Sequence, residues 1–326
     1  MKAADITKAL HSRGALAVAF LLMVVSAYYA LASGVGEMIP GNKGTVFPSP
    51  ALWIADPVIS LWINIAALGA IVGLMIFINK AYNIPRTITL IYASFFAVLQ
   101  TATPDLTSRL CSATLLAAVV IVSMTLMFSV YDLPSARRRV FMVFFLLSSS
   151  LSVQYAFVIY LPVFLVACAQ MRIFTFRTVL AALLGIITPW WILFGGGIVA
   201  PSDFHLPEFT SLFDTPDLLD TLIAAITAGL TIVLAITSYM LSWLKLITYN
   251  ARMRACNGLL TLITFITVLA MVADFTNFIC YLTLLNCCTA FFIGHMFVIR
   301  NSPKVWIVIS TITAIYYAIY IWIIIA

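Results

Sequence analysis

Ten stretches of this chain contain no Asp, Glu, Lys or Arg: residues 14–36, 57–79, 87–104, 110–131, 140–171, 178–202, 221–244, 255–273, 275–299 and 305–326. A helix needs about 20 mostly apolar residues to cross a ~30 Å hydrocarbon layer. Nine of the ten runs have roughly that length, one helix each. The exception, 140–171, has 32 residues. As one straight helix it would be about 48 Å long at ~1.5 Å per residue, well beyond a bilayer core.

Composition agrees with the runs. Hydrophobic residues make up 64% and charged residues only 9%, against the roughly 25% charged residues of soluble domains. So much apolar surface cannot be left in water, which excludes a disordered or collagen-like chain. Segments such as WIVISTITAIYYAIYIWIIIA are apolar on all sides and lack the alternation of an outer-membrane barrel. The fold class is therefore all-α, a polytopic transmembrane helical bundle. The longest connections, 34–56 and 201–220, are too short for a soluble domain, so residues 1–326 form a single integral membrane domain.

Lys and Arg near helix ends stay on the cytoplasmic side, and this orients the bundle. With Lys2, Lys8 and Arg13 inside, Lys80 and Arg86 fall inside after the second run, and Arg137, Arg138 and Arg139 after the fourth. Run 140–171 must then cross an even number of times, or Arg172, Arg177, Lys245, Arg252 and Arg254 would all lie outside. It reads as a short helix pair or a re-entrant hairpin. The threading gives about 11 passes, N-in and C-out. It places 15 of the 17 basic residues inside, all but Lys43 and Arg109, and nine of the 11 acids outside, all but Asp5 and Asp132. The polar cluster Ser148, Ser149, Ser150, Ser152 and Gln154 locates the break, because hydroxyls can satisfy backbone groups freed by a bend. Close packing of serines against a neighbouring helix explains them equally well. The N-terminus also has features of a secretory signal, with Ala30-Leu31-Ala32 before Ser33. Its apolar stretch of about 18 residues exceeds the ~7–15 of a signal, so we read an uncleaved anchor.

The motifs of soluble chemistry are missing. There is no Walker A, G-x-G-x-x-G or G-x-S-x-G motif. Cys111, Cys168, Cys256, Cys280, Cys287 and Cys288 show no C-x-x-C spacing, and His11, His205 and His295 lie far apart. No cofactor and no metal site is implied. The +6 charge belongs to loops facing anionic lipid heads rather than nucleic acid. No charged residue lies deep in a span, which argues against an ion-coupled pump. Asn64, Gln154 and Asn286 either bind a neutral ligand or bond helix to helix, the second being the commoner role. Trp53, Trp62, Trp190, Trp191 and Trp322 on the outer side, with Trp243 and Trp306 on the inner, fit an interfacial belt.

Polar chemistry is available at the outer face: Glu37, Lys43 and Asp56 in the first loop, Asp105 and Arg109 in the second, and Asp203, His205, Glu208, Asp214, Asp217 and Asp220 in an acidic third. Asp214-Thr215-Pro216-Asp217 reads as a capped helix start. Clustered carboxylates would otherwise suit a divalent cation or a basic partner. Pro189, in a run that also holds Gly185, Gly195, Gly196 and Gly197, predicts a kink, with Thr188 bonding back to a freed carbonyl. Such a bend either is a tolerated membrane proline relieving strain or opens a lipid-facing entrance beneath the acidic loop.

Around residues 172–196 the run MRIFTFRTVLAALLGIITPWWILFG, with Arg177, Gly185, Thr188 and Pro189 before aromatic residues, resembles an uncharacterised family of bacterial polytopic inner-membrane proteins. That likeness implies the bacterial inner membrane as the location and carries no activity. A looser likeness is to polyprenyl-linked sugar transferases and polymerases of the envelope, which implies an acidic catalytic residue in the first outer loop, matched by Asp56 or Glu37. The chain departs from them in lacking an adjacent acidic pair and a large outer domain.

Three readings follow. An enzyme acting on a lipid-linked glycan would use Asp56 as general base and Arg109 to position a phosphate, in a cavity lined by Asp56, Asp105 and Arg109. A non-catalytic assembly subunit would bind partner membrane subunits along a small-residue seam. A transporter of a neutral or lipidic molecule would carry an internal repeat, and none is evident. All share membrane lipids as partners, and the reading we adopt is a role in cell-envelope biogenesis.

Overall fold

The structure, a computed structural model, describes residues 13–34, 45–82, 90–133, 136–200, 202, 204, 218–246, 248–299 and 305–325. Among these residues there is no strand. The twelve α-helices are α1 Arg13–Ala32, α2 Pro57–Tyr82, α3 Ile91–Thr101, α4 Pro104–Ser108, α5 Ser112–Phe128, α6 Arg137–Leu151, α7 Tyr160–Gln170, α8 Phe176–Trp190, α9 Leu218–Leu246, α10 Ala251–Ala273, α11 Ile279–Ile299 and α12 Val305–Ile325. Six of the described helices are long and apolar enough to cross a membrane: α1, α2, α8 with the turn that follows it, the middle of α9, α10 and α11. The chain is a helical membrane protein.

Helix α11 is the axis of the bundle. It packs against α3, α5, α9 and α10, and every side chain from 280 to 295 is buried. The aromatic contacts Tyr92–Phe291 (5.4 Å, stacked) and Tyr239–Phe292 (5.4 Å) tie α3 and α9 to it. Helices α6 and α8 form the closest pair. Gly185 permits the approach, since a Cβ there would stand 2.7 Å from the Phe141 carbonyl oxygen.

Hydrogen bonds sort the loops to two ends. At one end the Asp132 N–H donates to Met171 O (3.0 Å), Arg139 donates to Ser129 O (2.8 Å), and Arg252 lies 5.5 Å over the Tyr82 ring. At the other, Asn64 donates to Leu106 O (2.8 Å), the Leu110 N–H donates to Ser60 Oγ (3.0 Å), and the Val46 and Phe47 N–H groups both donate to Ser152 O (3.0 Å). The Asp132–Met171 bond shows that the segment between them leaves one end and returns to it.

That return is made by two short helices, α6 and α7, with a 3-10 turn at Tyr155–Ile159 between them. Both expectations for the serines are met. Ser148 donates to Ile186 O on α8 (2.7 Å), while Ser149 and Ser152 donate to carbonyls of the terminating helix, Phe145 O (2.8 Å) and Ser149 O (2.6 Å). Run 87–104 differs from the single helix expected of it. Helix α3 has 11 residues, Pro104 starts the separate helix α4, and Thr103 between them is non-helical (φ −129°, ψ 77°), because proline excludes the preceding residue from the α region.

At Pro189 the helix does not simply bend. It passes into a π turn, Trp191–Gly195. Proline removes the N–H that would bond Gly185 O, yet the Thr188 hydroxyl donates to Leu184 O (2.5 Å) and not to that freed carbonyl. Trp190 stacks on Phe194 (5.7 Å) and meets Phe204 edge-on (6.1 Å).

Candidate functional site

The short connection between α10 and α11 builds the most polar buried locus of the bundle. Asp274 ends α10, its N–H donating to Ala270 O (2.8 Å), and the chain turns through a 3-10 segment, Phe275–Asn277, into α11. Although its neighbours in sequence are hairpin residues, Asp274 is only 6% exposed. Its Oδ2 accepts hydrogen bonds from the hydroxyls of Tyr155 (2.6 Å) and Tyr281 (3.3 Å), and its Oδ1 from the Asn277 amide (3.1 Å). The same amide also donates to the Tyr155 hydroxyl. A buried carboxylate is tolerable only when hydrogen-bonded. Here the donors come from the hairpin itself and from the break between α6 and α7.

A second layer continues the network. Ser112, the first residue of α5, meets Cys280 Sγ at 3.0 Å, and Gln154 donates to the same sulfur at 3.5 Å. Deeper, the Tyr160 and Thr267 hydroxyls are 3.0 Å apart, Gln100 donates to Thr283 Oγ1 (3.2 Å), and Asn286 donates to Gln100 Oε1 (3.1 Å). The loop segment 45–49 is seated beside this locus, with Thr45 donating to Leu151 O (2.5 Å). Chemically, a buried carboxylate held by two phenols and an amide can accept a proton from a bound group, the role of a general base.

Of the residues singled out from the sequence, Asp56 is exposed and its Oδ1 accepts from the N–H groups of Val58 (2.8 Å) and Ile59 (3.3 Å), which makes it the cap of α2. Arg109 is half-buried in extended backbone (φ −140°, ψ 156°) after α4, and its Nε is buried with no hydrogen-bond partner. The Leu110–Ser60 bond holds this segment one turn from Asp56, so the two residues share one end of the bundle. Asp105 lies in α4, but its side chain is outside the described residues. Also outside them are Glu37, Lys43, Asp203, His205, Glu208, Asp214 and Asp217, and the side chains of Asp220, Trp243 and Trp306.

The three amides bond helix to helix: Asn64 to α4, Asn286 to α3 and Gln154 to the start of α11. All six cysteines are free, and five of them are buried. Among the described residues no three His, Cys, Asp or Glu side chains form a group that could hold a metal ion. Asp274, which the threading counts as an ordinary outer acid, is the residue that sequence reasoning missed. Its signal was present, because it is a single acid separating two apolar runs, with Asn277 three and Tyr281 seven residues on, all within reach of one helical face. Comparison with protein-family models, with curated proteins and with solved structures finds no match for this chain.

Proposed function

We propose that the chain is an eleven-pass protein of the bacterial inner membrane, N-in and C-out, that acts in envelope biogenesis at the outer face on a lipid-linked glycan. The observation that carries this reading is the buried Asp274–Tyr155 pair at the end opposite Arg139 and Arg252. It offers proton transfer in a water-poor setting, where electrostatic interactions are strong. Arg109, at the same end and with Nε unpartnered, suits a phosphate group. Asp56 is engaged as a cap, so the acid–base role passes from it to Asp274.

The test is made in the native host. Arg109→Gln and Asp274→Asn, each with protein abundance followed by immunoblot, should cause lipid-linked glycan to accumulate in membrane extracts measured by mass spectrometry. Unchanged glycan lipids at unchanged abundance would refute the reading. A non-catalytic assembly subunit is the second reading, favoured by the use of Asp56 and all three amides in structural bonds. It predicts co-purification of a stoichiometric membrane partner and no change in glycan lipids in either variant.

A further inference from the structure

Helices α6 and α8 both start at the end of the bundle marked by the Asp132–Met171 bond, and they run side by side to the contact of Gly185 with Phe141 and Phe144. At ~1.5 Å per residue Arg177 stands about 12 Å before Gly185, and Arg137 about 10 Å before Phe144, so the two first turns lie at one level. These turns and the segments leading into them, 129–139 and 170–177, carry five arginines, Arg137, Arg138, Arg139, Arg172 and Arg177, against one acid, Asp132. All six side chains are exposed. Arg139 is engaged, donating to Ser129 O (2.8 Å).

Two features set this surface apart from an ordinary basic loop. Cations in the first turn of a helix oppose its macrodipole, yet α6 opens on three consecutive arginines and α8 carries Arg177 in its first turn, with no acid in either first turn. Retention of basic residues on one side of the membrane accounts for their sign but does not call for this crowding. The turns are also fixed. Asp132 (φ 55°) and Arg172 (φ 59°) both occupy the left-handed region that a residue other than glycine seldom enters, and the Asp132 N–H joins them through Met171 O (3.0 Å). Beside the arginines Phe174 and Phe176 are exposed, Phe176 by 83%, and Leu180, Leu184 and Ile187 continue an exposed apolar track along α8. A ligand for this surface has more than one negative charge at one end and long apolar chains at the other.

We propose that the starts of α6 and α8 form a binding site for a phospholipid with two phosphates, of the cardiolipin class, whose headgroup is held by Arg137, Arg138, Arg172 and Arg177 and whose acyl chains lie along the exposed face of α8. A guanidinium fork matches the oxygens of a phosphate, and basic pockets between transmembrane helices suit such headgroups. Helices in direct contact have axes about 8–10 Å apart, so arginines from the two helices address neighbouring phosphates rather than a single one. The bound anion neutralises charges that repel one another and that both helix ends oppose. The bilayer is the source, because the apolar track begins where the arginines end. The site lies at the end opposite Asp274, and the inference stands independently of the outer-face reading.

The experiment titrates the full chain, purified in detergent, with lipid and counts bound molecules by native mass spectrometry. Cardiolipin should bind at least about tenfold more tightly than phosphatidylglycerol, which has one phosphate, and phosphatidylcholine should not be retained. Combining Arg138→Gln with Arg177→Gln should weaken cardiolipin binding about tenfold or more. Combining Lys80→Gln with Arg254→Gln, which removes the same charge from exposed positions on α2 and α10, should leave it unchanged. Inorganic pyrophosphate in excess should not displace the lipid. Gel filtration establishes folding, and the wild-type preference for cardiolipin over phosphatidylglycerol decides the matter if the first double variant does not fold. Equal affinity for the two lipids, equal weakening by the two double variants, or displacement by pyrophosphate would overturn the proposal.

Discussion

Gly185 and Gly73 are both helical glycines, yet a methyl group at each meets opposite surroundings. At Gly185 it would stand 2.7 Å from Phe141 O and 3.0 Å from Phe144 Cβ, whereas at Gly73 nothing lies within 4 Å. Overpacking of this kind costs about 1–3 kcal/mol, while a helix gains about 0.8–1 kcal/mol from alanine in place of glycine. Gly185→Ala should therefore lower the thermal midpoint in detergent, and Gly73→Ala should leave it unchanged or raise it. Asp56 allows an equally direct test. As a cap it is replaceable by asparagine, whose side-chain oxygen serves the same N–H groups, but alanine costs about 0.5–2 kcal/mol. Asp56→Asn should keep both stability and activity, and loss of activity in that variant at normal abundance would restore Asp56 as a base. The cap was legible in the sequence, because Asp56-Pro57 carries the same acid-then-proline start that marks residues 214–217. A carboxylate beside tryptophans in an outer loop simply fits two roles until its partners are seen.

At the scale of elements, two interruptions of helix hold each other. The break between α6 and α7 supplies Tyr155 and the α10–α11 hairpin supplies Asp274, and each turn also anchors an aromatic ring in the core, Phe157 and Phe278. Removing one partner of a buried hydrogen bond to a charged or polar group costs about 1–3 kcal/mol. Tyr155→Phe and Asp274→Asn should each destabilise by that amount, and the double variant should cost clearly less than their sum. Full additivity in denaturant or thermal unfolding would mean that the two turns are independent. The break itself follows from counting charges, because only an even number of crossings keeps the arginines together. The latch does not: Tyr155 and Asp274 are 119 residues apart, and no local periodicity encodes a contact of that separation. Two other differences have local causes: Pro104 excludes Thr103 from the helix and so separates α3 from α4, and after Pro189 the helix relieves the missing N–H by widening into a π turn.

For the whole molecule, the relative order of the loops and their absolute orientation rest on different physics. Order is carried by hydrogen bonds and one cation–π contact, since Asp132–Met171, Arg139–Ser129 and the Arg252–Tyr82 ring contact gather one set of connections, and Asn64–Leu106, Val46–Ser152 and Tyr155–Asp274 the other. Orientation is carried by charge. In the proposed orientation, cytoplasmic retention of Lys and Arg puts the end bearing Arg139 and Arg252 inside, where anionic lipid heads attract basic residues by about 1 kcal/mol each. The two are separable by reporter fusions active only outside the cytoplasm. Fusions after Arg139 and after Arg172 should behave alike, whichever way the bundle faces, because α6 and α7 together leave and return. Unlike behaviour would break the hairpin and shift every later pass. Given that result, silence at both sites with activity after Ala326 fixes N-in and C-out, whereas activity at both with silence after Ala326 inverts the molecule. Inversion would carry the Asp274–Tyr155 pair to the cytoplasmic side and remove the outer-face chemistry with it.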